Sequence, residues 1–421
     1  MAKVSIINLG CPKNLVDAEY LLGRWQEQGH QVAIDPAKAD IVIVNTCSFI
    51  RSAKEESIDA ILKTAELKKK GKIKKIVVAG CLVRELGLEL SKALPEVDFF
   101  DRQAPAYLPA HSAARYQLTP SFSAYLKICD GCDNHCSYCL IPKIRGKFRS
   151  RTITDIVAEA KSLVQQGVRE INLIGQDITN FGSDLNQHRA LAELLQQLVK
   201  IKDLCWLRLL YAHPAHLDRE VIQILAREKK ICQYIDLPLQ HINDTILRQM
   251  NRRVTRRHIE KLIADIRKTL PAAVLRTTFI VGFPGETEKQ FQELYDFVQD
   301  IRFDRLGVFT YSREEGTLAA SRPGQIPEKT KQQRLKKLMM LQQKIALENN
   351  KKLIGRKLTV VIEGKDKKGY YYGRSQYDAP EIDNQVLVHS AKKLPPGTFV
   401  QVKITKALPY DLIGENYESG K

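Results

Sequence analysis

Along the first hundred residues, short β-branched apolar runs alternate with longer stretches whose apolar positions recur at helical spacing. The runs "VSIINL", "QVAI", "DIVIVN" and "KIVVAG" have the pattern expected of parallel strands covered on both faces. Between the first two lies "NLVDAEYLLGRWQEQG", an amphipathic stretch that predicts a helix stopping at Gly29. The alternation predicts a small doubly wound α/β domain over residues 1–105. The segment "DRQAPAYLPAHSAARYQLTP" is rich in Ala and Pro and has no period, so residues 106–120 read as a linker.

The alternation resumes on a larger scale over 121–325. Strands are predicted at "SAYLKI", "EINLIG", "WLRLLYA", "YIDLPL", "RTTFIVG" and "RLGVFTYS", with helical stretches such as "TDIVAEAKSLVQQG" and "RHIEKLIADIRKTL" between them. Six βα units make an open, partial (βα)6 barrel, short of the eight that close a full one. Residues 326–351 then read as one long connecting helix, with Leu335, Leu338, Met339 and Ile345 on one stripe. From Lys352 the period changes again. "KLTVVIEG", "GYYYGRS", "NQVLVHS" and "TFVQVKITKAL" predict short strands separated by Gly, Pro and Asp turns. A small antiparallel β-barrel of the oligonucleotide-binding kind over 352–421 fits them.

Composition narrows the class. A chain of 421 residues with 44% hydrophobic and 27% charged residues is a multi-domain soluble globular protein. The net charge of +18 favours a phosphate-rich partner such as RNA or the ribosome, the alternative being a basic surface that serves only solubility. No apolar run approaches the ~20 residues of a membrane span, and "MAKVSIINLG" has no signal-peptide core, so a cytoplasmic protein is expected. In that reducing compartment nine cysteines are not expected to form disulfides, and their clustering points to metal.

The densest cluster is "CDGCDNHCSYCLIPKIRGKFRSR", Cys129 to Arg151. Cys132, Cys136 and Cys139, spaced C-x3-C-x2-C, suit three corners of a 4Fe-4S cube and leave the fourth iron without a protein ligand. That open corner can be chelated by an amine and a carboxylate, as the methionine end of S-adenosylmethionine offers. The competing reading is a zinc knuckle completed by His135 or Cys129. Cys11, Cys47 and Cys81 each fall just past the C-terminal end of a predicted parallel strand, and those ends share one sheet edge. Their convergence predicts a second cluster with an open iron; the alternative is three buried bystanders. Cys129, Cys205 and Cys232 fit no pattern and read as packing residues.

Together these motifs resemble the radical S-adenosylmethionine methylthiotransferases over nearly the whole chain. "LGCPKNLVDAE", "VNTCSFI" and "AGCLVRE" are similar to the amino-terminal cluster domain of that family, "DGCDNHCSYCLIPKIRGKFRSR" to its radical signature, and the tail to its TRAM barrel. "GCPKNLVDAE", "GRSQYDAPEIDNQVLV" and "PYDLIGE" resemble the RimO type, which modifies an aspartate of ribosomal protein S-twelve; the tRNA-modifying MiaB type is the close relative. The chain departs from the usual pattern at Cys129, where a hydroxyl residue is commoner. The resemblance implies two 4Fe-4S clusters, S-adenosylmethionine, and an electron donor such as flavodoxin or ferredoxin. It also implies homolytic cleavage of S-adenosylmethionine, hydrogen removal from the aspartate β-carbon, and transfer of a methylthio group held at Cys11, Cys47 and Cys81. Asp378, Glu381 and Asp383 are expected either to make the terminal barrel acidic, which suits a basic ribosomal protein, or to form only a solvated turn. A non-catalytic iron–sulfur RNA-binding protein is the alternative of another class.

Further candidates follow from strand ends. Gln176, in "LIGQD", can meet the cofactor's amino group, or brace the strand end. Gly282 and Gly285, in "FIVGFPGET", permit close approach of the adenosyl part, or only shape a turn. Gln240 and His241 lie at another strand end, with His241 expected as a hydrogen-bonded rim residue. "MNRRVTRRH" reads as a contact for the ribosome or a carboxylate, or as a solvated helix face. Lys143, Arg145, Lys147, Arg149 and Arg151 read as a guide for an acidic ligand, or as surface.

Overall fold

The computed structural model describes residues 1–102, 114–187 and 189–417. The portion of the expected linker from 106 to 113 lies outside the described residues.

The amino-terminal sheet consists of β1 (Lys3–Asn8), β2 (Gln31–Val32), β3 (Ile41–Thr46), β4 (Lys75–Gly80) and β5 (Phe99–Phe100). All neighbours are parallel, in the order β2-β1-β3-β4-β5. Helices α1 (Pro12–Glu27), α2 (Arg51–Lys69), α3 (Cys81–Leu86) and α4 (Leu88–Ala93) connect and cover it. Alternate residues point to opposite faces. Val42, Val44, Ile76 and Val78 meet Ile61 and Ala65 of α2, whereas Ile43, Val77 and Ala79 meet Leu21 and Leu22 of α1. All six residues of β3 are consequently buried, which explains its unbroken apolar run.

Six parallel strands form the second sheet: β6 (Ser123–Lys127), β9 (Glu170–Ile174), β10 (Trp206–Leu209), β11 (Ile231–Asp236), β12 (Val274–Val281) and β13 (Arg305–Thr310). Each pairs with the next and the edges β6 and β13 stay apart, so the barrel is open. A short ribbon, β7 (Cys129–Asp130) with β8 (Arg149–Ser150), brackets α5 (Ile141–Arg145). Helices α6 (Ile153–Gln165), α7 (Ala190–Leu198), α8 (Arg219–Arg227), α9 (Asp244–Gln249), α10 (Arg256–Thr269) and α11 (Glu288–Ile301) follow in turn. The expected connecting helix is α12 (Glu328–Lys351), and it continues the barrel's outer layer: Leu338 and Ile345 are buried in the barrel core, with Leu335 and Met339 packed against it. Among the described residues no helix is long and apolar enough to cross a membrane.

The last unit is a closed barrel of β14 (Lys357–Lys365), β15 (Tyr371–Ser375), β16 (Val386–His389), β17 (Phe399–Ala407) and β18 (Leu412–Asn416). Four junctions are antiparallel, and β16 with β18 closes the circle in parallel.

This barrel seats on the N-terminal ends of the six parallel strands. Arg374 bonds both carboxylate oxygens of the buried Glu170, at 3.0 and 2.7 Å, and Arg208 donates to the carbonyl of Gln376 at 2.7 Å. The acidic turn also faces inward, contrary to the expectation from sequence. Asp378 pairs with Arg305 at 2.6 Å, and Asp383 takes a bond from Tyr234 at 2.5 Å and faces Arg276 at 3.6 Å. These acids are sealed against barrel arginines, so of the three only Glu381 is exposed and the electrostatic case for a basic partner fails. Within the lumen, Tyr125, Ile174, Trp206, Leu210, Cys232 and Tyr234 pack with Val16 and Tyr20 of α1 from the side and Val361 and Ala379 from below.

Candidate active site

Cys11, Cys47 and Cys81 follow β1, β3 and β4, at the edge where the strand order reverses between β1 and β3. This is the crevice position of doubly wound folds. Cys11 caps α1 and Pro12 starts it. The Ser57 hydroxyl holds the Cys47 backbone from both sides, accepting from its N–H at 3.0 Å and donating to its carbonyl at 2.8 Å. Gly10 sits at φ +93, where a Cβ would lie 2.8 Å from Cys47 Cβ and 3.0 Å from its Sγ. A side chain there would force Cys11 and Cys47 apart. Burial pushes the Cys81 thiol up to about 12 and raises Cys47. At Cys11 burial acts in the same sense, but the Lys13 and Arg145 cations outweigh it and lower the thiol.

The second triad lies in the loop between β7 and α5. Cys132 is tied by its N–H to the Gly146 carbonyl (3.2 Å), and Cys139 by its N–H to the Cys136 carbonyl (3.0 Å). The end of α9 braces the loop: the Ser137 N–H donates to the Met250 carbonyl, and Asn251 donates to the His135 carbonyl at 2.9 Å. Asn134 points at Cys132 Sγ (3.5 Å), the Ile141 N–H at Cys139 Sγ (3.4 Å) and Arg252 at Cys136 Sγ (3.6 Å). Three thiols each faced by one donor suit sulfur ligands that carry negative charge. Burial raises Cys132 to about 11 and Cys139 to about 12, so each would give up a proton on binding a metal.

A zinc knuckle does not assemble. Cys129 is buried behind β9 with its Sγ 3.7 Å from the Asp177 carbonyl, and His135 is exposed. Among the described residues one set of three His, Cys, Asp or Glu ligand atoms lies within 4.8 Å of one another: Asp177, His213 and His216. The histidine set is not a good cation site either. His213 Nδ1 accepts from the Ala215 N–H at 3.1 Å, which puts the proton of the neutral ring on Nε2, and burial keeps the ring neutral by lowering it to about 3.

One buried network runs from Cys81 to the start of the loop that carries the second triad. Arg145, the last residue of α5, reaches Asp17 at 2.9 Å, Asn14 at 3.0 Å, Cys81 Sγ at 3.6 Å and Asp130 at 3.1 Å. Lys127 bonds Asp17 and, at 3.2 Å, Asp130. Despite burial, Lys127 and Arg145 hold Asp130 well below the usual carboxylate range. Gln176 donates from Nε2 to Asp130 at 2.9 Å; a carboxylate only accepts, so the amide orientation is fixed and Oε1 is left buried without a partner.

The remaining candidates divide. Of the five basic residues after the signature, Arg145 and Arg151 are buried in ion pairs, and Lys143, Lys147 and Arg149 are exposed. Arg252 is buried at the loop, not on a solvated helix face, because "MNRR" is the turn after α9. His241 is wholly buried rather than at a rim. Gly282, at φ +73, is packed by the Lys331 stem, where a Cβ would come 2.3 Å from Cγ; Gly285 donates its N–H to the Gly324 carbonyl. Cys232 is buried in the lumen, whereas Cys205 is exposed and so is not the packing residue expected. Lys13, Asn134, Asp177, Tyr211 and His213 also line the site, and none of them belongs to a sequence motif of its own. Only position was available as a signal for them, since each lies beside a strand end or a cysteine.

Comparisons with known proteins agree with this architecture. Residues 3–100 match the Uncharacterized protein family UPF0004, 126–298 the Radical SAM superfamily and 354–416 the TRAM domain. A protein named ribosomal protein uS12 methylthiotransferase RimO from Desulforamulus reducens is 47% identical, covering 99% of both chains. Proteins of the same name from Geobacter sulfurreducens (46%, covering 98% of each chain) and Clostridioides difficile (45%, covering 99% of each) are similar over the same extent. Among solved structures, the radical S-adenosylmethionine methyltransferase TsrM from Kitasatospora setae shares the fold. It has a TM-score of 0.52 at 16% identity, covering 76% of this chain and 77% of that one.

Proposed function

Because the chain belongs to the RimO family of ribosomal protein uS12 methylthiotransferases, we propose that it adds a methylthio group to the β-carbon of an aspartate in ribosomal protein S-twelve. What supports this reading is that Cys81 meets the segment following the second triad: it packs with Leu140 and Ile144, and Arg145 reaches Cys81, Asp17 and Asp130. Cys132, Cys136 and Cys139 would hold one 4Fe-4S cluster and Cys11, Cys47 and Cys81 the other, with S-adenosylmethionine at the first. When bound, these groups supply the one-electron and sulfur chemistry that an unactivated C–H bond demands and no side chain provides.

The chain's own residues bind, orient and exclude water. Gln176 Oε1 is a buried acceptor without a partner, suited to the ammonium of an amino acid; His213 Nε2 on the neighbouring strand end is a buried donor without a partner, suited to its carboxylate. The Arg145–Asp17–Lys127–Asp130 network balances two cations with two anions, so it fixes the spacing of the two triads without adding net charge. Packing of the lumen from below and from the side keeps water from entering behind the reacting groups. Gly282 and Gly285 shape the turn after β12 on the same rim.

A cytoplasmic setting and an electron donor of the flavodoxin or ferredoxin type complete the reading. The decisive experiment is mass spectrometry of S-twelve from cells with and without the gene. Loss of the methylthio mass from S-twelve supports the proposal, and loss from tRNA adenosine instead overturns it.

A further inference from the structure

The geometry points to Lys13 as the residue that grips the carboxylate of the target side chain, an inference that rests on the aspartate reading above. Lys13 follows Cys11 by two positions, in the first turn of α1, and is only 8% exposed. Its Nζ lies 3.1 Å from the centroid of the Tyr211 ring. Among the described residues it has no carboxylate within 4.0 Å and no hydrogen-bond acceptor. The cations around it differ in this respect. Arg145 and Lys127 are each bonded to both Asp17 and Asp130, and Arg252 donates to the Pro238 carbonyl at 2.6 Å. The nearest strand-end acid, Asp236, is also committed, to Arg276 at 2.7 Å and to the Tyr211 N–H at 2.8 Å.

An ammonium has three donors, and a ring face satisfies its charge only in part. The Cys11 thiolate is the anion that most favours its charge, yet it takes no hydrogen bond from the Lys13 side chain, so the ammonium keeps donors for a further anion. The chain also distorts to make the seat: Tyr211 holds φ +67, a conformation that a bulky non-glycine residue adopts at a cost, and the Asp236 bond to its N–H keeps it there. Tyr211 follows β10, next to the strand end that carries Gln176, and Lys13 leans over it from the Cys11 side. Lys13 therefore stands where the amino-terminal triad faces the barrel mouth, the place a substrate β-carbon must occupy to lie between both triads. The cofactor has a carboxylate too, but its amino-acid end belongs at the other triad, with Gln176 and His213.

The test uses the anaerobically reconstituted full chain, as wild type, Lys13→Met and Lys13→Arg, with iron content and visible spectrum confirming that both clusters load. Dissociation constants are measured for labelled S-twelve, for S-twelve carrying Asp→Asn at the target, and for S-adenosylmethionine. A charge-assisted hydrogen bond to a carboxylate predicts that Lys13→Met weakens binding of the aspartate form by about tenfold or more, and of the asparagine form by less than about twofold. Lys13→Arg should restore most of the aspartate affinity. Equal losses for the two forms, no loss, or a loss confined to S-adenosylmethionine overturns the inference. Should Lys13→Met fail to load iron, the wild-type preference for aspartate over asparagine decides: about tenfold supports the grip, and equal affinity removes it. If the wild type neither binds nor modifies either form, the S-twelve reading itself fails, a result separable from any failure at Lys13.

Discussion

Replacing Arg374 with Met should loosen the terminal barrel from the six-stranded one, by an amount that the structure and the pH dependence both constrain. Glu170 is fully buried at the foot of β9 and takes two bonds from Arg374, one from Arg208 at 3.3 Å and one from Ser123 at 2.8 Å. Burial works against its charge, but Arg374 and these neighbours win and hold its carboxyl down to about 2, against an ordinary 4.5. That gap corresponds to about 3 kcal/mol of folding stability at neutral pH. Removing one partner of a buried pair costs about 3–5 kcal/mol, which agrees. The sign follows from the depression: the contribution is whole above the unfolded pKa and is lost as pH falls from about 5 towards 2. Trp206 reports the joint directly, because its ring meets Phe399 of the terminal barrel edge-on at 4.8 Å. In a Trp25→Phe background, the urea transition of Trp206 emission should be destabilised in Arg374→Met by about 3 kcal/mol at pH 7 and by less than about 1 kcal/mol near pH 2. A loss below about 1 kcal/mol at pH 7, or an equal loss at both pH values, would refute the reasoning.

Gly10→Ala should cost the amino-terminal cluster alone, since its Cβ collides with Cys47; iron per chain should fall from about eight to about four while the visible band of the second cluster persists. Cys81→Ala and Cys132→Ala should each halve the iron in the same way, and the double variant should hold almost none, as checked by iron analysis after anaerobic reconstitution. Gly282→Ala should lower stability by about 1–3 kcal/mol through strain at φ +73 and displacement of Lys331, seen as a lower melting temperature. Its dissociation constant for S-adenosylmethionine should stay within twofold of wild type; a larger rise would return Gly282 to the cofactor site.

The elements were legible where burial imposes a period. β3 is buried on both faces and reads as an unbroken β-branched run, and α12 shows its buried stripe at Leu338 and Ile345. The cysteine triads were legible because strand ends and tight spacing are local facts. What the sequence concealed depends on partners far along the chain. Asp378 and Asp383 look like a solvated acidic turn until Arg305 and Arg276, more than seventy residues earlier, are brought against them. Arg145 and Arg151 look the same as Lys143 and Arg149 in a basic run, and only the position of α1 and α6 buries the first two. Lys13 carries no pattern at all, because an ammonium without a hydrogen-bonded acceptor is defined by what the fold leaves away from it.

The terminal barrel covers the foot of the six-stranded barrel and α1 lies against one flank, so both sides are closed by parts of the same chain. Were S-adenosylmethionine to sit against Gln176, as proposed, it would reach that seat from the rim rather than through the foot. A protein guest approaching the cysteine triads would use that same rim, so cofactor and guest would share one approach.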